Sequence, residues 1–326
     1  MIRKPIFYIL LIAVVALSSC QKDLDLFVPD PITGYDSTWY NTLDNSMPVA
    51  SLKATLSLPV YKDSFELNTA SVTIMTGAGL ECIFNPGSVL TSSNVPVTGK
   101  IYLETYLLKK KGDILRMGTP TISDGRLLVS GGEFFIRLTK DGNELHLALN
   151  GHVHIHYDDS PVSSLMTIFN GEETNPNGFN WLPNMDTLNN QVFPLSQSTY
   201  EIISNQLHWI NCDYFYDTTG VTQTIVSANL PSNYTNANTV AYTVFNDMRS
   251  VSGMYGNAAT RKFSSGKLPA GKIITLVIIS KQGDNYYLGH EPVTITGSPG
   301  TINDQQVNVT PVITSLDNIK AYLNSL

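Results

Sequence analysis

His152-Val-His-Ile-His-Tyr157 sets three imidazoles at every second position of one short stretch. Along an extended strand, alternate side chains leave the same face. His152, His154 and His156 therefore share one face, and Val153, Ile155 and Tyr157 the other. Neighbouring imidazoles would hang from Cα atoms about 6.6 Å apart, near enough for two rings to share a Zn²⁺ at Zn–N distances of about 2.0–2.1 Å. A straight row does not close a tetrahedron, so a further ligand has to come from elsewhere. His146 on the preceding strand, Asp158 and Asp159 are the candidates. The same alternation also describes an ordinary strand with one wet face. The row reads as a weak surface metal site, not as a catalytic centre.

Aromatic side chains offer a second chemistry, a platform for sugar rings. Trp181 and Trp209 lead it, with Tyr214, Tyr216 and Tyr255 as further members. Core packing competes for the same residues. Cys82 and Cys212 read as buried free thiols, although a bridge across so long a loop would add about 2–5 kcal/mol. The sequence contains no G-x-S-x-G elbow, H-E-x-x-H pair, P-loop or dinucleotide fingerprint. The expectation is a protein without catalysis and without a cofactor. A net charge of −7, with 14% charged residues, lacks the basic surface that nucleic-acid binding requires. The one basic run, Lys109-Lys110-Lys111, precedes Gly112-Asp113 and reads as a solvated turn.

These residues need strands to position them. The 326 residues leave room for roughly two domains after a leader. The parse is residues 1–19 as leader, 20–49 as modified N-terminus and tether, 50–218 as a first β-sandwich, and 219–326 as a second with a short C-terminal helix. The fold class is all-β with antiparallel pairing. Ala54, Leu56 and Leu58 suggest a first strand face. Phe134, Ile136 and Leu138 face Leu145, Leu147 and Leu149 across an Asp-Gly turn. The apolar run Ile273–Ile279 suits a strand covered on both sides. Thr314-Ser-Leu-Asp317 reads as a helix start, and Leu316, Ile319, Leu323 and Leu326 form one stripe. The tether, rich in Pro, Gly, Asp and Ser, carries Trp39-Tyr40, which is expected to dock back onto the first domain.

At the N-terminus, Arg3 and Lys4 precede an apolar run from Ile6 to Leu17. That run is shorter than the roughly 20 residues of a spanning helix and reads as a signal peptide. Leu17-Ser-Ser-Cys20 resembles the lipobox of bacterial lipoproteins. The resemblance implies that Cys20 receives lipid and becomes the mature N-terminus, anchoring the chain to a membrane through two or three acyl chains. Gln21-Lys-Asp-Leu-Asp25 resembles the acidic export tag of Bacteroidota surface lipoproteins, which implies an outer-membrane, cell-surface location.

Gly77-Ala-Gly-Leu-Glu-Cys-Ile-Phe-Asn-Pro-Gly87, followed by a strand after Val95-Pro96, resembles the β-sandwich module shared by ankyrins, netrin receptors and zonula occludens proteins. Thr119–Ile136, Met166–Gly171 and Trp209–Asp213 resemble its version in uncharacterised Bacteroidota lipoproteins. The likeness covers most of residues 55–215 and rests on turn and core positions. It implies docking of a protein partner and supplies no active site. Leu268-Pro-Ala-Gly271 resembles a turn of prealbumin-like and immunoglobulin-like sandwiches. The resulting expectation is a lipid-anchored binding or structural module with an unidentified protein or glycan partner. A glycan-binding accessory lipoprotein is the second reading, and a metal-dependent hydrolase the third.

Overall fold

The computed structural model describes residues 37–174 and 178–326, so the leader, Cys20 and residues 21–25 lie outside the described residues. The fold is all-β with a short C-terminal helix. The first sandwich has a nine-stranded sheet with the path β1 (Tyr61–Leu67), β5 (Gly99–Leu108), β7 (Arg126–Lys140), β14 (His208–Phe215), β10 (Thr167–Thr174) and β11 (Gly178–Pro183). Short β4 (Val89–Thr91), β6 (Ile122–Ser123) and β8 (Asn143–Leu147) branch from it. Facing it is a five-stranded sheet in the order β12 (Gln191–Pro194), β13 (Thr199–Ser204), β9 (Val153–Asp158), β3 (Glu81–Phe84) and β2 (Val72–Met75). Phe84, Ile101, Leu103, Phe134, Ile136, Ile155, Ile202 and Ile210 meet between the sheets in one apolar core.

The β7–β8 connection is the expected Asp-Gly hairpin, with φ of 52° at Asp141 and 77° at Gly142. Positive φ at both central residues gives the turn a twist that matches the strands it joins. Leu145 and Leu147 are buried as expected, but Leu149 is 90% exposed because β8 ends two residues before it.

The second unit is an eight-stranded path folded on itself. Its order is β21 (Asn303–Asn308), β15 (Gln223–Asn229), β18 (Lys262–Pro269), β17 (Val251–Asn257), β16 (Thr239–Phe245), β19 (Ile273–Gln282), β20 (Asn285–Thr294) and β22 (Val312–Thr314). One pair, β15 with β21, runs parallel, against the wholly antiparallel expectation. Strand β19 is covered on both faces, as the sequence predicts. Ile274, Leu276 and Ile278 enter the unit's own core with Phe245 and Phe263, while Val277 and Ile279 point the other way.

What they point into is a third core, built by both units together. Val240, Tyr242, Val244, Val251, Val277 and Ile279 of the second unit pack with Leu108, Leu128, Phe169, Trp181 and Trp209 of the first. Helices α1 (Pro48–Leu56), α2 (Lys111–Met117) and α3 (Leu316–Asn324) close this core. Helix α1 corrects the predicted strand at Ala54, Leu56 and Leu58. Pro48 sits in the first turn, where its missing N–H costs nothing, and Val49, Leu52 and Leu56 recur at helical spacing. Helix α2 likewise replaces the solvated turn at the lysine run: Lys111 Nζ donates to the Phe245 carbonyl at 2.7 Å. A Cβ on Gly112 would stand 1.8 Å from the Leu323 carbonyl oxygen, so only glycine lets α2 and α3 touch here. Helix α3 starts at the N-cap Ser315, whose Oγ accepts from the Asn318 amide at 3.1 Å, and it buries Ile319 and Leu323.

Trp39 and Tyr40 dock, but on the second unit. The Trp39 ring packs 5.1 Å from Phe263, and Asn236 clamps the Tyr40 backbone. The Tyr40 amide donates to Asn236 Oδ1 at 3.0 Å, and Asn236 Nδ2 donates to the Tyr40 carbonyl at 2.6 Å. From there the chain runs through α1, whose Val49 amide donates to the Ala237 carbonyl at 2.8 Å, before entering β1 of the first sandwich.

Candidate functional site

Strand β9 lies at the middle of the five-stranded sheet and sends Val153, Ile155 and Tyr157 into the core, as its alternation predicts. His154 and His156 face outward and are partly exposed; His152 precedes the strand. Their neighbours are carboxylates from the flanking strands. Register places Glu81 of β3 and Glu201 of β13 on either side of His156. His156 Nδ1 lies 2.9 Å from Glu81 Oε1, His154 Nδ1 lies 3.0 Å from Glu201 Oε1, and His156 Nε2 is 3.7 Å from the same oxygen. The His154 hydrogen bond, helped by His156, holds Glu201 below the usual glutamate range against its partial burial.

This arrangement corrects the proposed ligand set. Among the described residues, no group of three or more His, Cys, Asp or Glu is placed to hold a metal ion. His146 belongs to β8 in the other sheet, where its Nε2 lies 3.1 Å from Asn94 Oδ1. Asp158 accepts from Thr199 Oγ1 at 3.0 Å, and Asp159 is taken by Arg249. Two of the three histidines are thus absorbed in a cross-strand ladder with glutamates.

The aromatic platform is corrected as well. Trp181 is fully buried and Trp209 is 9% exposed, both inside the core shared by the two units. Their rings meet edge-on at 6.3 Å, and Phe179 wedges against both, 4.8 Å from Trp181 and 5.8 Å from Trp209. Tyr214 and Tyr216 are half-buried, and only Tyr255, on β17, is well exposed. Cys82 and Cys212 are free and buried. Burial pushes the Cys82 thiol up to about 12 and raises Cys212 further, so neither is a reactive thiolate.

Beside β8 the nine-stranded sheet forks. Strand β7 pairs with β8 only at Thr139 and Lys140, and it pairs with β14 from Ile136 inward. An open cleft of about 430 Å³ lies in the fork, bounded by Glu144–Leu147 and Asn205–His208. A row of alternating charge leads up to it. Lys62 pairs with Glu104 at 3.0 Å, Glu104 with Arg137 at 3.2 Å, Arg137 with Glu144 at 3.3 Å, and Glu144 with His208 at 2.6 Å.

A buried polar cluster that sequence reading missed lies at the seam between the two units. The turn between β16 and β17 presses Arg249 against a bulge in β7, where Gly132 takes a φ of 144° and the register with β14 shifts between Asn211 and Asp213. Arg249 forks onto Asp159 at 2.8 and 3.2 Å and donates to the Gly131 carbonyl at 2.8 Å. Ser250 Oγ donates to the Leu128 carbonyl at 2.6 Å, and the Thr121 amide donates to the Val251 carbonyl at 2.9 Å. Behind this contact Glu133 and Asp213 are completely buried. The one available signal was Ser130-Gly-Gly-Glu133, a glycine pair inside an otherwise apolar strand, which marks a bulge or a close approach.

No protein-family profile matches the chain, and no curated protein matches it. Among solved structures, it is similar to the gamma-CGTase of the alkalophilic Bacillus clarkii at 11% identity and a TM-score of 0.21, with 77% of this chain covered. The chain spans 42% of the length of that enzyme. A likeness at that level carries no argument about fold or activity.

Proposed function

We propose that this protein is a lipid-anchored binding or structural body, without catalysis of its own, displayed at the outer membrane through Cys20. The observation that supports it most is the third apolar core. It joins both sandwiches and all three described helices, so the chain presents its surfaces at fixed distances from one another. The partner is read as a protein, and the surface offered to it is the outer face of the five-stranded sheet. There the Glu201, His156 and Glu81 row runs between Phe193 and Met75, which are 43% and 63% exposed. Exposed Phe and Met are side chains enriched at protein interfaces, and the charged row between them would fix the register of a partner. The glycan reading has lost the Trp181 and Trp209 platform that motivated it.

Labelled palmitate is expected to enter the wild-type protein and not Cys20→Ala; absence of label from the wild type would remove the anchor. Crosslinking on intact cells should capture a partner that is lost in a Glu81→Lys, Glu201→Lys variant. Capture undiminished by that variant would place docking elsewhere.

A further inference from the structure

We infer that the seam between the two sandwiches is a proton-sensitive lock, tighter when the buried carboxyls of β7 and β14 are protonated and weaker when they ionise. One cation, Arg249, pairs with Asp159 and also acts on Asp213, which in turn acts on Glu133. That guanidinium is already committed to Asp159 and to the Gly131 carbonyl. Glu133 Oε2 accepts from Thr119 Oγ1 at 2.5 Å, and Asp213 Oδ2 accepts from Asn211 Nδ2 at 2.7 Å. Among the described residues, Glu133 Oε1 has no hydrogen-bond partner, and Asp213 Oδ1 has none of good geometry, with only the Ser130 hydroxyl and the Gly131 amide nearby. A buried carboxylate left with a bare oxygen is costly, whereas a neutral carboxyl is tolerated. Full burial of both carboxyls, beside a cation already paired with Asp159, favours their neutral form.

The surrounding groups do not change this. Tyr157 of β9 donates to the Gly131 carbonyl at 3.2 Å, and burial raises both its own proton affinity and that of Cys212 on β14, so both stay neutral. Tyr200 of β13 is shifted in the same direction. Burial outweighs the lowering pull of Ser130, Asn211, the Gly131 amide and Arg249, and pushes Asp213 up to about 7. It drives Glu133 well above the ordinary glutamate range, with Asp213 adding to the effect. In an opened or unfolded chain these groups would lose their protons near 3.8 and 4.5. From about pH 4 upward the open form therefore sheds protons that the closed form keeps, and closure weakens as pH rises through 7 and beyond.

Hydrogen exchange on the full-length protein tests this, run from about pH 5 to about pH 8 and corrected for the intrinsic exchange rate. Protection of segments 118–130 and 246–252 should fall by about tenfold or more across that range, while segment 200–204 in the first core changes far less. Asp213→Asn should flatten the dependence. If that variant does not fold, Glu133→Gln together with the wild-type series decides the matter. Seam protection that is flat with pH in the wild type, or a slope unchanged in the variant that folds, would overturn the lock.

Discussion

Glu201 shows how the histidine row is occupied, since one carboxylate bridges His154 and His156 where a metal had been expected. Its depressed proton affinity means that it stabilises the folded sheet above the ordinary value of 4.5, and that this contribution fades as pH falls through the lower folded value. Glu201→Gln should therefore be less stable than the wild type near pH 6, by under about 1 kcal/mol because the pair is partly exposed. The two unfolding curves should converge in strong acid. A gap that persists below about pH 3 would point to lost packing instead. Trp181 gives a larger effect. It is fully buried against Phe179 and Trp209, so Trp181→Ala should cost about 3–5 kcal/mol in denaturant unfolding. An unchanged midpoint would mean that the indole is not core.

At the scale of elements, Gly112 makes the sharpest demand. A methyl group there meets the Leu323 carbonyl at 1.8 Å, so Gly112→Ala has to push α3 off α2. The expected cost is about 1–3 kcal/mol, with faster protease cleavage at the C-terminal helix than in the wild type. Cleavage unchanged from the wild type would show that the contact is dispensable. The elements that could be read in the sequence were those whose pattern is local. The Asp141-Gly142 hairpin, the two-sided strand β19 and the stripe of α3 each carry their own signature within about ten residues. Helix α1 was misread because Ala54, Leu56 and Leu58 fit a period of two, while the decisive Val49, Leu52 and Leu56 lie partly in what looked like tether. Leu149 was placed wrongly because β8 stops at Leu147, and His146 because β8, through β7 and β4, belongs to the sheet opposite β9; no local pattern reveals either. The Arg249 seam joins residues 90 to 118 positions apart, and only Gly131-Gly132 hinted at it.

At the scale of the whole molecule, the core shared by the two units is expected to make them a single folding unit. Leu52 decides whether this holds, because it is fully buried in the core they share and lies on a segment, α1, that belongs to neither sheet. Upstream, that segment is clamped to the second unit by Trp39 on Phe263 and by Asn236 on Tyr40; downstream, it feeds β1 of the first. It works as a strap across the seam. Removing side-chain volume at Leu52 opens a cavity that touches both units, and neither can collapse into it without moving the other. Scanning calorimetry of the wild type should therefore give one transition. Leu52→Ala should move that transition down as a whole, with a loss of about 2–5 kcal/mol. Units that were merely neighbours would behave differently: one would melt early and leave the other at its original temperature. Two resolved transitions in the wild type, or a variant that shifts only one half of the heat, would mean that the shared core does not couple the sandwiches.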